Sequence, residues 1–328
     1  MMRKLVFATI SAVALLGVAT PAAAQAVQIN IAHGGDPVHP WHAASQEFAK
    51  EVAEKSGGNI KVNIFTAGQM GSDREMLEST QSGALQMSAI STMAMSGFEP
   101  SLQIFDLPYL MPSYEVAYKV LDGEIGTKVA EKLVSKGVRN LAYWENDFRQ
   151  LSNNKRPITG VVDLAGLKIR VPETPILISW LEGLGAIPTP IAYTELYTAL
   201  QQGVVDGQDN GIFLSHSAKY YEVQKYYTLT NHIYAPVAFL INEEFYQSLS
   251  DEHRKIIQEA AVKSRDFQRN LSSQLRDKRL KEMTAAGLAV TELSPEALEE
   301  LRTRARPVYE KVKTSIDQDL LRQILSLE

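Results

Sequence analysis

The sequence predicts an α/β protein of two similar lobes, and three observations predict it. Short apolar runs alternate with helical patterns from Val27 onward. A frame of helix, Gln, Gly and short apolar strand occurs twice, as LESTQSGALQM (77–87) and LYTALQQGVVD (196–206). A single long, charged helical pattern then begins at Asp251.

The amino terminus reads as an export signal. Arg3 and Lys4 precede an apolar run from Leu5 to Val18, and small residues follow around Ala22–Ala26. That three-part pattern is a cleavable signal peptide over residues 1–26, too short in its apolar part for a comfortable membrane span. VQINIAHGG (27–35) then reads as a strand ending at Gly34–Gly35. The spacing predicts a helix from Pro40 to Lys55 with Ala43, Phe48, Val52 and Ala53 on its apolar face, closed by Ser56-Gly57-Gly58. Strand 60–65, loop 66–72, a helix from Asp73 to about Ser82 and strand 84–90 follow.

The second half repeats the scheme. A strand runs from Arg139 to Trp144, and LKIRV (167–171) makes another, stopped by Pro172 and Pro175. Helices are expected near 175–184 and 194–202, and Gly203 then leads into VVDGQD. The pattern from Asp251 runs about 36 residues, ~54 Å at 1.5 Å per residue, enough to lie along both lobes. Ile256, Ile257, Ala260, Val262, Phe267, Leu271 and Leu275 supply its apolar contacts, and Ser294 caps a last helix at Pro295.

Composition narrows the function. The chain has 328 residues, 45% hydrophobic and 22% charged, with a formal net charge of −5. Without Arg3 and Lys4, the 33 basic residues fall to 31 against 38 acidic ones, a balance of −7. That is no footprint for nucleic acid or anionic lipid. There is no cysteine, which removes thiol catalysis, thiolate metal sites and disulfides. A core of this size holds without them. The motifs of serine hydrolases, P-loop enzymes, dinucleotide-binding folds and zincins are absent. His33, His39 and His42 cluster in HGGDPVHPWH, but their spacing matches no common metal site, so neither a metal nor a cofactor is expected.

Two arginines carry the chemical signal. Arg170 alternates with Ile169 and Val171, so it faces the opposite side of the sheet at a strand's carboxyl end, where open α/β sheets bind ligands. Arg149 follows the preceding strand. A guanidinium cannot shed its charge there and presents a fork matched to a carboxylate. An anionic ligand would complete such a pair; a structural salt bridge to Asp163, Glu173 or Glu145 would do so equally well. Gln208, Asp209 and Asn210 follow a strand too, either as ligand-reading groups or as a polar turn between Gly207 and Gly211.

At these residues the sequence resembles the substrate-binding proteins of TRAP (tripartite ATP-independent periplasmic) transporters. The matching segments are QMGSDREML (69–77), FDLPYL (105–110), FRQLSNNKRPI (148–158), DLAGLKIRVPETP (163–175), ALQQGVVDGQDN (199–210) and YYEVQKYYTLTNHIY (220–234). The resemblance implies a two-lobed periplasmic binding protein with crossing strands and a long helix spanning both lobes. It divides the chain into lobe I (27–146 plus 237–276) and lobe II (147–236 plus 277–328). It also implies that Arg170 forms the main salt bridge with a substrate carboxylate, with Arg149 as the second cleft arginine. Asn210 would contact the carboxylate region, Asp73 would be the acidic residue after the loop, and Tyr193 an aromatic against the ligand.

Departures bear on specificity. Ser91 stands where the sialic-acid members carry a glutamate, Glu173 stands where they carry an asparagine, and His33 lies in the first-strand loop. AHGGDPVHPWH and FRQLSNNKRPI look more like members that bind sugar acids. The expectation is therefore a monomeric, non-enzymatic protein that captures a hexuronate or aldonate and hands it to TRAP membrane subunits. Binding of a C4-dicarboxylate or keto acid by the same fold is the alternative. A periplasmic enzyme using His33 with Asp73 as acid and base, or a ligand-sensing receptor subunit, are more distant ones.

Overall fold

The computed structural model describes residues 26–327; the signal-peptide expectation falls outside them, Ala26 apart. The chain opens with β1 (Val27–His33), α1 (Pro40–Lys55), β2 (Ile60–Phe65), α2 (Asp73–Gln81) and β3 (Met87–Ser91). After two short helical turns come α3 (Tyr114–Asp122), α4 (Glu124–Val134), β4 (Val138–Phe148) and β5 (Gln150–Asn153). Next are β6 (Lys168–Val171), α5 (Pro175–Gly183), β7 (Ile187–Pro190), α6 (Tyr193–Gln201), β8 (Gly207–Asn210) and α7 (Ile212–Ser217). The chain continues through β9 (Tyr226–Leu229), β10 (Tyr234–Asn242), α8 (Glu243–Ser248), α9 (Asp251–Ala285) and β11 (Ala289–Glu292), and the helices α10 (Pro295–Lys311) and α11 (Gln318–Leu325) follow.

Two sheets form, ordered β2-β1-β3-β10-β4 and β11-β9-β5-β8-β6-β7. Strands β1, β2 and β3 run parallel, and β10 runs antiparallel between β3 and β4. In the second sheet β6 is parallel to both β7 and β8, while β5 is antiparallel to β8 and β9. The chain crosses from the first sheet to the second at Arg149, between β4 and β5, and returns through 230–233. It crosses once more after α9. Helix α9 packs on α1 and β4 and then on α7, so it does run along both lobes.

Three sequence expectations shift. Helix α1 buries Trp41, Ala44, Phe48 and Val52; Ala44 rather than Ala43 faces the core. The strand expected at 139–144 extends through Phe148, which brings its end to the crossing. In α9, Ile256, Ile257 and Ala260 are buried as expected, but Phe267 is exposed and the buried stripe there turns polar, with Ser264, Gln268 and Ser272. The reason is the edge of the first sheet. Buried backbone groups of β4 need partners, and α9 supplies them. Gln268 donates to Glu145 O at 3.0 Å and accepts from Glu145 N at 2.9 Å, and Gln258 donates to Leu141 O at 3.0 Å.

The stretch GQDN is itself the strand β8, not a turn after one. All four residues are buried, flanked by β5 and β6. A side chain at Gly207 would put its Cβ 2.0 Å from Ser152 O, so only glycine lets the two strands close there.

Candidate ligand-binding cleft

Arg170 sits in register with Gln208 of β8 and Thr189 of β7. Its neighbours Ile169 and Val171 are fully buried in the core, which turns Arg170 to the other face. Pro172 ends the strand, so the guanidinium emerges at the carboxyl edge of the sheet. It is 3% exposed, and Nε donates to Ile191 O at 2.8 Å. Among the described residues it makes no ion pair. Burial depresses its pKa below the ordinary range; Tyr220, Asp209 and Asp73 oppose that shift, and Arg149 adds to it.

Arg149 is anchored differently. Its backbone is tied across the crossing, N–H to Ile233 O at 2.8 Å and His232 N–H to its carbonyl at 3.3 Å. Its side chain pairs with Asp209, Nε to Oδ2 at 2.5 Å, and Nη2 also donates to the Asp209 carbonyl. None of Asp163, Glu173 and Glu145 is its partner: Asp163 accepts from Thr159 and Glu145 pairs with Arg276. Burial alone would raise the Asp209 carboxyl, but Arg149 and His232 hold it below the usual range. Asn210 donates to Gln208 Oε1 at 2.6 Å, and Gln208 donates to Ser152 Oγ at 2.8 Å. That relay orients the amides beside the arginines.

The facing wall comes from the first sheet and its loops. A capping box between Ser72 and Glu75 starts α2, so Asp73 occupies the first helical position at the cleft. Burial raises its carboxyl to about 6 against the pull of Arg170. Ser91 ends β3 with a buried Oγ that has no hydrogen-bond partner. Tyr193 opens α6, and its ring lies against Gly34, 3.4 Å from where a Cβ there would stand. Burial raises the Tyr193 hydroxyl well above its ordinary pKa, and Tyr220 adds to the shift.

Two connected cavities result. An inner chamber of about 30 Å³ is lined by Arg149, Arg170, Asn210, Ser91, Asp73 and Tyr193, with Asn146 and Trp41 beside them. An outer compartment of about 450 Å³ shares Asp73, Arg170 and Tyr193 and reaches Glu173, Arg74 and Glu78. Seven of the eight expected site residues therefore line one cleft or the other. His33 does not. It is fully buried at the end of β1, its ring 5.8 Å from that of His42, and lines neither cavity. Burial, then His42, lowers its pKa to about 3.

Sequence reasoning missed Tyr220, Asn146 and Trp41. Trp41 Nε1 donates to Glu145 O at 2.8 Å, which ties α1 to the crossing strand. Its only signal was the HPWH stretch, read for its histidines. Among the described residues no group of three or more His, Asp or Glu is placed to hold a metal. No helix among them is long and apolar enough to cross a membrane.

Two lobes, a cleft between them and a buried cation without an ion-pair partner among the described residues define a small-molecule binding protein. Residues 31–315 match the family model described as bacterial extracellular solute-binding protein, family 7, also called DctP. The chain belongs to that family, the solute-binding proteins of TRAP transporters. It is 34% identical to the C4-dicarboxylate-binding periplasmic protein DctP of Rhodobacter capsulatus, over 98% of this chain and 95% of that one. Among solved structures it resembles the sugar acid binding protein DctPAm of Advenella mimigardefordensis in complex with galactonate. The TM-score is 0.90 with 36% identity, covering 92% of this chain and 97% of that one. A TRAP solute-binding protein of a Sulfitobacter species with bound β-D-galacturonate matches at TM-score 0.87 and 28% identity, covering 91% and 99%.

Proposed function

We propose that this chain captures a carboxylate-bearing sugar acid, a hexuronate or an aldonate, in the cleft and delivers it from the periplasm to the membrane subunits of a TRAP transporter. The observation that carries the reading is Arg170, 3% exposed, unpaired and lining both cavities. A desolvated cation without a counter-ion is costly, and a ligand carboxylate received in its fork offsets that cost. In this reading Asn210 helps hold the carboxylate, Asp73 and Glu173 meet hydroxyls, and Tyr193 covers the ring or chain. The galactonate and galacturonate complexes of similar proteins support the same ligand class. The relative in Rhodobacter capsulatus favours a C4-dicarboxylate as the competing reading.

In this reading the lobes, 27–146 with 237–276 and 147–236 with 277–328, close around the ligand by bending at the crossings near Arg149 and 230–233. Helix α11 reaches back toward lobe I, since Lys132 and Lys128 of α4 lie near Asp317 at its cap. Residues 1–26 act as the export signal, and the protein binds without turnover. A thermal-shift screen over hexuronates, aldonates, keto acids and C4-dicarboxylates tests this. A ligand at 100 times its dissociation constant stabilises by about 2.7 kcal/mol, and no shift from any acid sinks the proposal.

A further inference from the structure

The cleft is electrically polarised along its length. The guanidiniums of Arg170 and Arg149 lie at the inner chamber. Asp73 lines both cavities, and two further carboxylates, Glu78 and Glu173, line the outer compartment alone. The one cation lining that compartment besides Arg170 is Arg74, and Glu78 already holds it at 3.1 Å. Glu173 is exposed at the rim and makes no ion pair among the described residues.

We propose that this polarity makes the site selective for acids with a single carboxylate, with Glu173 and Glu78 as the filter that turns away a second one. The inference rests on the sugar-acid reading above and deepens it. The inner chamber is small, about 30 Å³ against about 450 Å³ for the outer compartment, so it takes the carboxylate and little else. The rest of the ligand must extend into the outer compartment. A neutral hydroxyl at its far end can donate to Glu173 or Glu78, a strong bond to an ionised acceptor. A second carboxylate at that end can only accept, and it meets like charges there, the one nearby cation besides Arg170 being Arg74, whose Nε is already held by Glu78. Such juxtaposition is how binding sites exclude wrong ligands.

Pairs of acids that differ at the far carbon alone provide the test. In the galacto and gluco series, an aldonate ends in CH₂OH where the aldarate ends in a second carboxylate. Calorimetry on the mature protein should show the aldonate or the hexuronate bound at least about tenfold more tightly than the aldarate. Glu173→Gln, Glu78→Gln and the double variant should each narrow that ratio, the double variant most, because Glu78→Gln also frees Arg74. Both positions are exposed, so the fold tolerates the change. Raising the ionic strength should narrow the ratio in the wild-type protein as well. Aldarates bound as tightly as aldonates, or a ratio that the double variant leaves unmoved, overturns the filter while leaving the sugar-acid reading intact. A protein that binds no member of either series fails both.

Discussion

Arg149 and Asp209 form a closed pair: Nε meets Oδ2 at 2.5 Å, and both side chains are essentially buried. Arg170, 21 positions later in the sequence, has a backbone carbonyl as its one hydrogen-bond partner. Two arginines of one cleft thus differ: Arg149 is ion-paired within the protein, and among the described residues Arg170 is not.

Substitution should separate them. Arg149→Ala leaves Asp209 buried and uncompensated, a loss of about 3–5 kcal/mol of stability, read by urea unfolding. Arg170→Ala should keep the apo fold and lose about 2–5 kcal/mol of ligand binding, turning micromolar affinity into millimolar or worse. Arg170→Lys should bind poorly too, since an ammonium lacks the fork. Unchanged calorimetric affinity in Arg170→Ala would refute the anchor.

Thr174 Oγ1 donates to Asp106 Oδ2 at 3.0 Å, joining the start of α5 to the turn before α3. Burial raises the Asp106 carboxyl to about 7, and Thr174 opposes that shift. The bond favours the ionised form, so its contribution is present above pH 7 and is lost as pH falls. Thr174→Val should cost about 1–3 kcal/mol at pH 8 and less at pH 5. Equal losses at both values would argue against this partner.

His33 also weakens the fold on acidification, from a different cause. Its folded pKa of about 3 lies far below the ordinary 6.5. Between those values the unfolded chain takes up a proton that the folded chain refuses, so acidification destabilises the fold. At 1.36 kcal/mol per unit, the penalty reaches about 2 kcal/mol at pH 5. His33→Phe should flatten the pH dependence of stability between 6.5 and 5 by that amount, measured by denaturant titration at each pH.

Arg276 of α9 holds the end of β4, with Glu145 at 2.8 Å and Asp147 at 3.1 Å, its guanidinium 3.9 Å from the Tyr114 ring. Burial, then Asp147, pushes the Glu145 carboxyl up to about 7. Arg276→Ala should cost about 3–5 kcal/mol, and Glu145→Gln in that background should restore part of the loss. A double variant no more stable than Arg276→Ala contradicts the pairing.

Much of this was legible in the sequence. Alternation around Arg170 and the stop at Pro172 placed that side chain at the strand's carboxyl end before any coordinate, because both signals are local; its reading as an anchor came from the resemblance. The partner of Arg149 was not legible. Asp209 lies 60 positions away and meets it only because β5 and β8 pair antiparallel, Leu151 opposite Asp209. GQDN was read beyond a strand because four small or polar residues rarely occupy a sheet's interior; hydrogen bonds to β5 are what permit it. Phe267 misled for the converse reason, since a sheet edge asks a helix for amides rather than rings. His33 pointed to the cleft by its neighbours in the chain, yet its fully buried side chain reaches neither cavity.

The place of β10 has a consequence for how the molecule is made. It lies between β3 and β4, although it is synthesised some ninety residues after β4 ends. Until residues 234–242 leave the ribosome, β3 and β4 each carry an empty edge. The second sheet in turn waits for β11 at 289–292. Neither half can finish alone, so native structure must arrive late and nearly at once. Neither sheet can close its ladder before most of the chain has been made.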